Sequence, residues 1–257
     1  MRWRHSLEQS ANPRVRGAAD WLSNLDRANW HLLFPTSAEA TVLEVGAGLG
    51  TVTHALALAY RHVVALEPTA ERVHFMQRRL AEDGLPNVHV IQSSLVDLPL
   101  RQESVDLAIL NGVLGWASGG AFGRRARWIH LLESIRSVIR PGGLVYLGVE
   151  NRWGLGAGGV RRRAAFASLS GYRKLLAAAG YSDVRVWCAL PSHEDPRFLV
   201  VCEQRAFDHF LRALTLPPRA VPRRLVWSVL NSLGLLKQMT RSYCIGGRRG
   251  IGPSHAS

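Results

Sequence analysis

The stretch Thr41-Val-Leu-Glu-Val45, followed directly by Gly46-Ala-Gly-Leu-Gly50, decides the fold of this 257-residue chain. Its first five residues are a short apolar run that predicts a buried strand, and residues 51–60 after the glycines have helical periodicity. Glycines at positions i, i+2 and i+4 between a strand and a helix let the backbone approach a ligand closely. Dinucleotide-binding loops place their third glycine at i+5, so this spacing argues against NAD or FAD.

Outward from this loop, short β-branched runs alternate with helical patterns joined by glycine and proline. The predicted strands cover residues 62–66, 87–92, 105–110, 144–149 and 184–189, and the predicted helices cover residues 71–83, 125–140 and 172–179. Such alternation predicts βαβ units with right-handed crossovers. We therefore predict a doubly wound, Rossmann-like α/β sheet of seven mostly parallel strands with helices on both faces.

Three segments are expected along the chain. Residues 1–37 form a helical cap, residues 38–203 form the core, and residues 204–257 form a basic helical extension. The last strand of the sheet is either residues 198–202, which the residue pattern prefers, or residues 242–247. Further local predictions are a helix over 13–34, a sharp turn at 141–143, and helices over 207–214 and 225–239.

The charge of the chain has two interpretations. It is formally +13, with 32 basic residues against 19 acidic ones, and all the basic residues but Lys174 and Lys237 are arginine. Either the chain attracts nucleic acid, an anionic membrane surface or a phosphorylated substrate, or a GC-rich coding sequence produced the bias. Arg161-Arg-Arg163 is correspondingly predicted to be either a phosphate-binding site or a run of solvent-exposed charged residues. The basic helix at 223–239 either packs on the sheet, which is favoured, or rests on a membrane surface.

Several classes of protein are not expected. No apolar run approaches the roughly 20 residues that span a bilayer, and no apolar segment of a secretory signal follows the N-terminus. Cys188, Cys202 and Cys244 lack the spacing of a disulfide framework or a zinc site. We therefore expect no metal and a cytoplasmic protein, with peripheral contact at the inner membrane surface as the alternative.

Glu67 is the second feature that suggests a ligand. It ends the second predicted strand, 21 residues after Gly46, where an acidic side chain can accept both hydroxyls of an adenosine ribose. Hydrogen bonds to a charged group contribute about 1.5–3 kcal/mol each. The alternative, a glycine turn beside a surface glutamate, is disfavoured by the strand–turn–helix context of both features.

Four motifs in order resemble those of class I S-adenosylmethionine (SAM)-dependent methyltransferases. They are VLEVGAGLGT at 42–51, VVALEP at 63–68, SVDLAILNGVL at 104–114 and IRPGGLVYL at 139–147. The resemblance spans residues 38–190, and four ordered motifs are far more specific than one. It implies SAM as the cofactor.

The resemblance also implies which residues hold SAM. Glu44 would anchor the loop, the loop would pass beneath the methionine moiety, and Glu67 would hold the ribose. The implied cofactor-binding residues are Glu44, Gly46, Ala47, Gly48, Gly50, Glu67, Pro68, Ser93, Ser94, Leu95, Asn111 and Gly112. Ser94 departs from the family, which commonly has an aspartate there to accept from the adenine amino group.

A narrower likeness covers the second half of the chain. Residues 150–154, 168–181 and 190–198 are similar to a subgroup of bacterial methyltransferases often encoded near glycosyltransferase and secondary-metabolite genes. In that subgroup the final strand follows a helical insertion, which would favour residues 242–247.

Two side chains are candidate general bases. A sulfonium is already a good leaving group, so the protein must mainly align the acceptor and exclude water, and a hydroxyl acceptor also needs a base. His193 and Glu150 follow predicted strand ends, where ligands bind in such sheets. Their alternatives are a solvated loop histidine and a structural partner of Arg152. Trp116 and Trp153 are candidates for a pocket wall or for the core, and His130, on a helix among apolar residues, is interpreted as structural.

We expect a methyltransferase that acts on a small-molecule or glycan acceptor and methylates a hydroxyl oxygen. An anionic or lipid-linked acceptor is one possibility within this class. An RNA or protein methyltransferase is the runner-up because of the charge, but Leu110-Asn-Gly-Val113 lacks the (D/N)PP(Y/F) tetrad used on exocyclic amines. Nucleic acid is therefore the less favoured partner. A SAM-fold subunit that binds without catalysis is the third class. The sequence leaves the oligomeric state open.

Overall fold

The computed structural model describes residues 2–95, 97–116, 123–154, 166–213, 229–230 and 232–251. The strands are β1 Thr41–Val45, β2 His62–Glu67, β3 Val88–Gln92, β4 Val105–Asn111, β5 Ile139–Glu150, β6 Tyr181–Ser192, β7 Asp195–Val201 and β8 Ser242–Arg249. The α-helices are α1 Arg2–Glu8, α2 Pro13–Ser23, α3 Thr51–Ala59, α4 Ala70–Glu82, α5 Val113–Trp116, α6 Arg124–Val138, α7 Leu169–Ala178, α8 Gln204–Ala213 and α9 Leu236–Met239. A 3-10 helix covers Leu25–Leu33.

All eight strands form one sheet in the order β3–β2–β1–β4–β5–β8–β6–β7. The first five strands in this order are parallel, β8 lies antiparallel between β5 and β6, and β7 pairs antiparallel with β6. The α/β class and the mostly parallel first half are as predicted. The strand count of seven is wrong, because Asp195–Val201 folds back on β6 as an additional edge strand.

The choice between the two candidate last strands is settled by this order. Residues 242–247 lie in β8 and take the central position between β5 and β6. Residues 198–201 belong to the edge strand β7. The extension predicted from residue 204 onward therefore contributes a strand to the middle of the sheet.

Helices cover both faces because the strands alternate their side chains between two apolar clusters. On one face, strand residues such as Ala108 and Leu110 pack against α6 and α7. On the other face, Leu107 and Ile109 pack with α3 and the 3-10 helix. β4 is thus buried on both sides, and the carboxyl ends of β1, β2, β4 and β5 share one edge of the sheet.

The N-terminal segment is part of the second face. A single helix over residues 13–34 was expected, but the helix ends at Ser23 and a 3-10 helix follows. Asn24 causes the break, since its side chain accepts a hydrogen bond from the Asp26 amide at 3.2 Å and caps the new helix. Trp30 then stacks on Tyr146 of β5 with ring centroids 3.6 Å apart.

Two other local predictions are wrong in detail. Residues 141–143 form a bulge inside β5 rather than a turn before it, as shown by the register shift against β4 between Val105 and Leu107. The predicted helix over 225–239 is interrupted at Gly234, which has φ +67°. Residues 225–228 and 231 of that helix lie outside the described residues. No helix in the described part of the chain is long and apolar enough to cross a membrane.

Candidate active site

The glycine loop after β1 is held against the end of β2. The amides of Gly46 and Ala47 both donate to the Leu66 carbonyl, at 2.8 and 3.0 Å. Gly46, Gly48 and Gly50 all have positive φ, between +62° and +78°, a region that side chains disfavour. The loop therefore turns tightly from β1 into α3 with its backbone exposed to a ligand.

Each of the three loop positions requires glycine for a different reason. A Cβ at Gly46 would lie 2.9 Å from Val113 Cγ2, and a Cβ at Gly50 would lie 2.8 Å from Met76 Cγ, so both positions are closed by packing. Gly48 has no atom within 4 Å of the position a Cβ would take. The space above Gly48 is thus an open cradle at a helix N-terminus, which fits the methionine part of SAM as the motif predicts.

Glu44 lies beneath the loop as a buried anchor. Its side chain is 4% exposed and accepts a hydrogen bond from the Thr53 hydroxyl of α3 at 2.5 Å. Burial raises the pKa of Glu44 to about 8, and the nearby charge of Glu67 adds to the rise. The predicted role as an anchor agrees with this contact to the first turns of α3.

Glu67 ends β2 and connects the loop to the next turn. Its Oε2 accepts from the Gly48 amide at 2.9 Å, its Oε1 accepts from the Thr69 amide at 3.1 Å, and the Arg72 guanidinium lies 3.5 Å from Oε1. A carboxylate has about four lone-pair sites. Two of them accept from the amides and a third accepts from Arg72, so one remains for a ribose hydroxyl, and the chemistry of Glu67 fits the cofactor. Pro68 follows in an exposed position.

The segment after β3 forms a turn beside this site. Ser93 donates through its hydroxyl to the Asp97 carbonyl at 3.0 Å, and Ser94 Oγ accepts from the Asp97 amide at 3.4 Å. Leu95 lies 3.9 Å from the position of a Cβ on Gly46. Leu95 is therefore adjacent to the glycine loop, and the hydroxyls of Ser93 and Ser94 take part in the turn that leads to Asp97.

Asn111 and Gly112 at the end of β4 line a separate cavity of about 320 Å³. Gly112 has φ +78°, and its amide donates to the Gly148 carbonyl of β5 at 2.8 Å. Gly148 is a glycine for steric reasons, since a Cβ there would lie 2.0 Å from Asn111 Oδ1. The cavity is lined by Asn111, Gly112, Leu114, Gly115, Gly148, Val149, Glu150, Phe166, Tyr172, His193 and Glu194.

His193 projects into this cavity from the turn between β6 and β7. It is 2% exposed, and its Nε2 lies 3.6 Å from the position a Cβ on Gly112 would take. Its backbone amide donates to Ser242 Oγ of β8 at 2.7 Å, which fixes the turn. Burial, with the positive charges of Arg241 and Arg27, lowers the pKa of His193 to about 3. The imidazole is therefore neutral at physiological pH, and the interpretation of a solvated loop histidine is wrong.

Buried polar atoms in this half of the site lack partners. Within the described ranges, neither ring nitrogen of His193 has a hydrogen-bond partner, nor does Asn111 Oδ1. Arg27 Nη1 is in the same situation, although Arg27 Nε donates to the Glu194 carbonyl at 2.7 Å. Unsatisfied buried polar groups are costly and commonly mark a functional site.

Glu150 at the end of β5 lines the same cavity and is half-buried. Its backbone carbonyl accepts from the Tyr172 hydroxyl of α7 at 2.9 Å. No ion pair joins Glu150 to Arg152 in the described part of the chain; Arg152 lies over the Trp153 ring instead. The two predicted bases, Glu150 and His193, are thus brought together by the fold on opposite sides of one cavity.

The remaining predicted residues lie elsewhere. Trp153 is 61% exposed and does not line the cavity, and His130 is exposed on α6 rather than part of the core. Arg161–Arg163 and the side chain of Trp116 fall outside the described residues.

Sequence reasoning missed Arg27 and Phe166. Arg27 is separated from Glu194 by 167 positions, so no local pattern connects them. The break at Asn24, which directs the 3-10 helix toward the β6–β7 turn, is the one signal that could have placed Arg27. Phe166 precedes α7 and lies next to Gly115, where a Cβ would approach its ring to 3.1 Å.

Comparisons with known proteins agree with this geometry. Residues 42–143 match a family model described as a methyltransferase domain. The match begins in β1 and ends in the bulge of β5, so it includes the glycine loop, Glu67 and Asn111. No curated protein matches the sequence of the chain.

Solved structures share the fold at low sequence identity. A SAM-dependent methyltransferase from Archaeoglobus fulgidus is 13% identical, with 88% of this chain and 94% of that chain aligned and a TM-score of 0.57. Phosphoethanolamine N-methyltransferase 1 from Haemonchus contortus is 17% identical over 100% of this chain and 50% of that chain, with a TM-score of 0.59. Geranyl diphosphate methyltransferase with bound SAM is 14% identical over 95% and 94%, with a TM-score of 0.56.

The open glycine loop, the carboxylate of Glu67 and the family match fit one cofactor, S-adenosylmethionine. Residues 42–143 therefore form a methyltransferase domain, and the chain has the fold of SAM-dependent methyltransferases.

Proposed function

We propose that this methyltransferase transfers the methyl group to a hydroxyl oxygen of a small-molecule or glycan acceptor, with His193 as the proton acceptor. The observation that carries this proposal is the cavity of about 320 Å³ in which a neutral, buried imidazole has no partner among the described residues. A cavity of this size suits one sugar or one aromatic ring.

Bound SAM supplies an electrophilic methyl group on a sulfonium. The glycine loop and Glu67 would hold the cofactor, and Asn111 and Gly112 line the acceptor cavity. A hydroxyl acceptor placed beside Gly112 would lie within reach of His193, whose unprotonated nitrogen can accept its hydrogen bond. Asn111 Oδ1 is a second acceptor that can orient the same hydroxyl.

Removing water is the second task of the cavity. His193 is 2% exposed and Tyr172 is 1% exposed, so these two side chains of the cavity wall are shielded from solvent. An acceptor that displaces water from the cavity would strengthen its hydrogen bonds to the wall and align the nucleophile for in-line attack. The alignment of the acceptor is therefore expected to contribute more than the basicity of His193.

The glycan preference rests on the likeness of residues 150–154, 168–181 and 190–198 to methyltransferases encoded near glycosyltransferases. These segments include Glu150, Tyr172 and His193, which line the acceptor cavity. The structural neighbours carry names with different acceptors, phosphoethanolamine and geranyl diphosphate. The fold alone thus does not determine the acceptor, and the support for a hydroxyl acceptor comes from the cavity.

A panel of acceptors tests the proposal. The full chain is incubated with SAM carrying an isotopically labelled methyl group and with matched pairs of sugars and phenols and their amino analogues. We expect labelled methyl on oxygen in at least one sugar or phenol, with the methylated atom assigned by NMR. Methylation of the amino analogue alone, or of RNA or protein alone, would contradict the hydroxyl assignment.

A further inference from the structure

A second cavity, which we call the basic cleft, adjoins the acceptor cavity between the first turns of α6 and α7. Its volume is about 700 Å³. The cationic side chains that line it are Arg124, Arg125, Arg152 and Lys174. None of its lining residues in the described ranges is acidic.

Some arginines elsewhere on the surface are neutralised, as Arg4 is by Glu8 at 2.7 Å and Arg61 is by Glu39 at 2.6 Å. Within the described residues, Arg125, Arg152 and Lys174 have no such carboxylate partner. Cations gathered around one cavity repel each other and focus a positive potential there. An anionic ligand would relieve this repulsion.

The helices add to the positive potential. α6 and α7, of 15 and 10 residues, both begin at the basic cleft, and helix N-termini carry partial positive charge. Ser168 caps α7 by accepting from the Gly171 amide at 3.2 Å, and its hydroxyl lies at the floor of the cleft.

The basic cleft and the acceptor cavity share one lining residue, Phe166. The ring of Phe166 is held against Gly115, where any Cβ would be 3.1 Å away. The lining residues of the cleft and of the cavity therefore meet at this ring, with Arg152 and Lys174 on the side of the cleft.

We infer that the acceptor carries a phosphate or diphosphate group, which binds in the basic cleft while the acceptor hydroxyl lies beside His193. This inference rests on the proposed function for the hydroxyl and adds the anionic group. Arginine binds phosphate oxygens in a bidentate manner and lysine acts as a point charge, so the mixture suits a diphosphate.

Calorimetry with inorganic pyrophosphate tests the inference on the full chain saturated with S-adenosylhomocysteine. Arg152→Gln and Lys174→Gln each remove one cation that faces the basic cleft. The matched control is Arg173→Gln, because Arg173 is the neighbouring exposed residue on α7 and does not line the cleft.

We expect pyrophosphate to bind the wild type, and each cleft variant to weaken its binding by about tenfold, as the loss of one charge-assisted hydrogen bond predicts. Arg173→Gln should stay within about twofold of the wild type, since distant surface charges are screened. Absence of pyrophosphate binding, or an equal loss in Arg173→Gln and Lys174→Gln, would overturn the inference.

The same titrations separate this inference from the proposed function. If pyrophosphate fails to bind while S-adenosylhomocysteine binds and a neutral hydroxyl acceptor is methylated, only the basic cleft is refuted. If pyrophosphate binds as expected but only amines are methylated, the hydroxyl assignment fails and the anionic acceptor stands.

Two further ligands distinguish the source of the diphosphate. Uridine diphosphate represents a nucleotide-linked acceptor, and geranyl diphosphate represents a lipid-linked one. Tighter binding of one of them than of pyrophosphate, lost again in Lys174→Gln, would assign the organic part. Equal affinity for all three ligands would indicate that the acceptor is a free phosphate ester.

Discussion

The two halves of the site differ in how far the protein satisfies its own polar groups. On the cofactor side, Glu67 accepts from two backbone amides, and the glycine loop donates to the end of β2. On the acceptor side, both nitrogens of His193 and the side-chain oxygen of Asn111 have no partner among the described residues. The cofactor half is therefore preformed, and the acceptor half is completed by its ligand.

This difference follows from how each half is built. The cofactor half comes from adjacent parallel strands whose loops are short, so its contacts are set by nearby sequence. The acceptor half combines the end of β5, the turn between β6 and β7, β8 and the N-terminal segment. Its polar groups without hydrogen-bond partners lower the stability of the unliganded protein. Acceptor binding would offset this loss, which is typical of binding sites.

Removing the imidazole should have the largest effect on turnover. For an acceptor found with the panel, His193→Gln should lower kcat by about tenfold to 100-fold, less than the loss of a well-matched general base, because the lowered pKa of His193 makes the imidazole a weak proton acceptor. The affinity for S-adenosylhomocysteine should stay unchanged, because His193 lies outside the cofactor half. Steady-state kinetics and calorimetry on the same preparations give both values.

Glu150→Gln serves as the matched variant across the cavity. It should lower kcat by less than about tenfold if His193 is the proton acceptor. A larger loss in Glu150→Gln than in His193→Gln would transfer that role to Glu150.

The stability of the two halves should respond to pH in opposite directions. The pKa of His193 is lowered to about 3 from 6.5, so the unfolded chain binds a proton that the folded chain does not as the pH falls below 6.5. The resulting loss of unfolding free energy is at most about 1.4 kcal/mol per pH unit. Between pH 4.5 and 6.5 the protonation of Glu44 acts in the opposite sense, so the effect of His193 is measured as a difference: on going from pH 6.5 to 4 in urea unfolding, the wild type should lose more stability than His193→Gln.

Glu44 should give the opposite slope on the alkaline side. Its pKa is raised to about 8 from 4.5, so the folded chain keeps a proton that the unfolded chain has lost between these values. Stability therefore falls as the pH rises through this window, by at most about 1.4 kcal/mol per unit. Glu44→Gln should flatten the curve between pH 6.5 and 8. An unchanged slope in both variants would show that neither burial effect operates.

Filling the space at Gly148 should disturb the acceptor half of the site. In Gly148→Ala the new Cβ would meet Asn111 Oδ1 at 2.0 Å and His193 Cδ2 at 2.9 Å, so both side chains must move. We expect a loss of about 1–3 kcal/mol in unfolding free energy, as for overpacked cores. Gly250→Ala, which has no atom within 4 Å of its Cβ position, is the control. A stable Gly148→Ala variant would contradict the geometry of the cavity.

A smaller effect is expected where the sequence departs from its family. Ser94→Asp would place a charged acceptor over the adenine, and hydrogen bonds to charged groups are stronger than neutral ones. We expect S-adenosylhomocysteine to bind about threefold to tenfold more tightly. Ser94→Asn, which adds size without charge, is the control. Weaker binding in Ser94→Asp would show that the turn at Ser93–Asp97 cannot accept the aspartate.

The cofactor half could be predicted from the sequence because its signals are local. The strand before Gly46 and the helix after Gly50 fix the loop, and Glu67 follows at the next strand end. The spacing of the glycines also predicts that the backbone at Gly48 approaches a ligand. The packing of Gly46 on Val113, in contrast, is visible only in the structure.

The rest could not be read from the sequence because its contacts are long-range. Arg27 joins Glu194 across 167 positions, and the amide of His193 joins Ser242 across 49. The eighth strand was missed for the same reason. Both candidate stretches had strand patterns, and only the pairing of residues 242–249 with β5 and β6 decides which is central.

The central claim is a preformed SAM site built on the glycine cradle and Glu67, and calorimetry with S-adenosylhomocysteine tests it most directly. The wild type should bind with micromolar affinity. Glu67→Ala and Gly48→Val should each weaken binding by about 100-fold or more, through the loss of two hydrogen bonds to a charge and through filling the cradle. Glu71→Ala, an exposed carboxylate on α4, should bind as the wild type does. Binding that survives both substitutions, or a folded wild type that binds nothing, would contradict the claim.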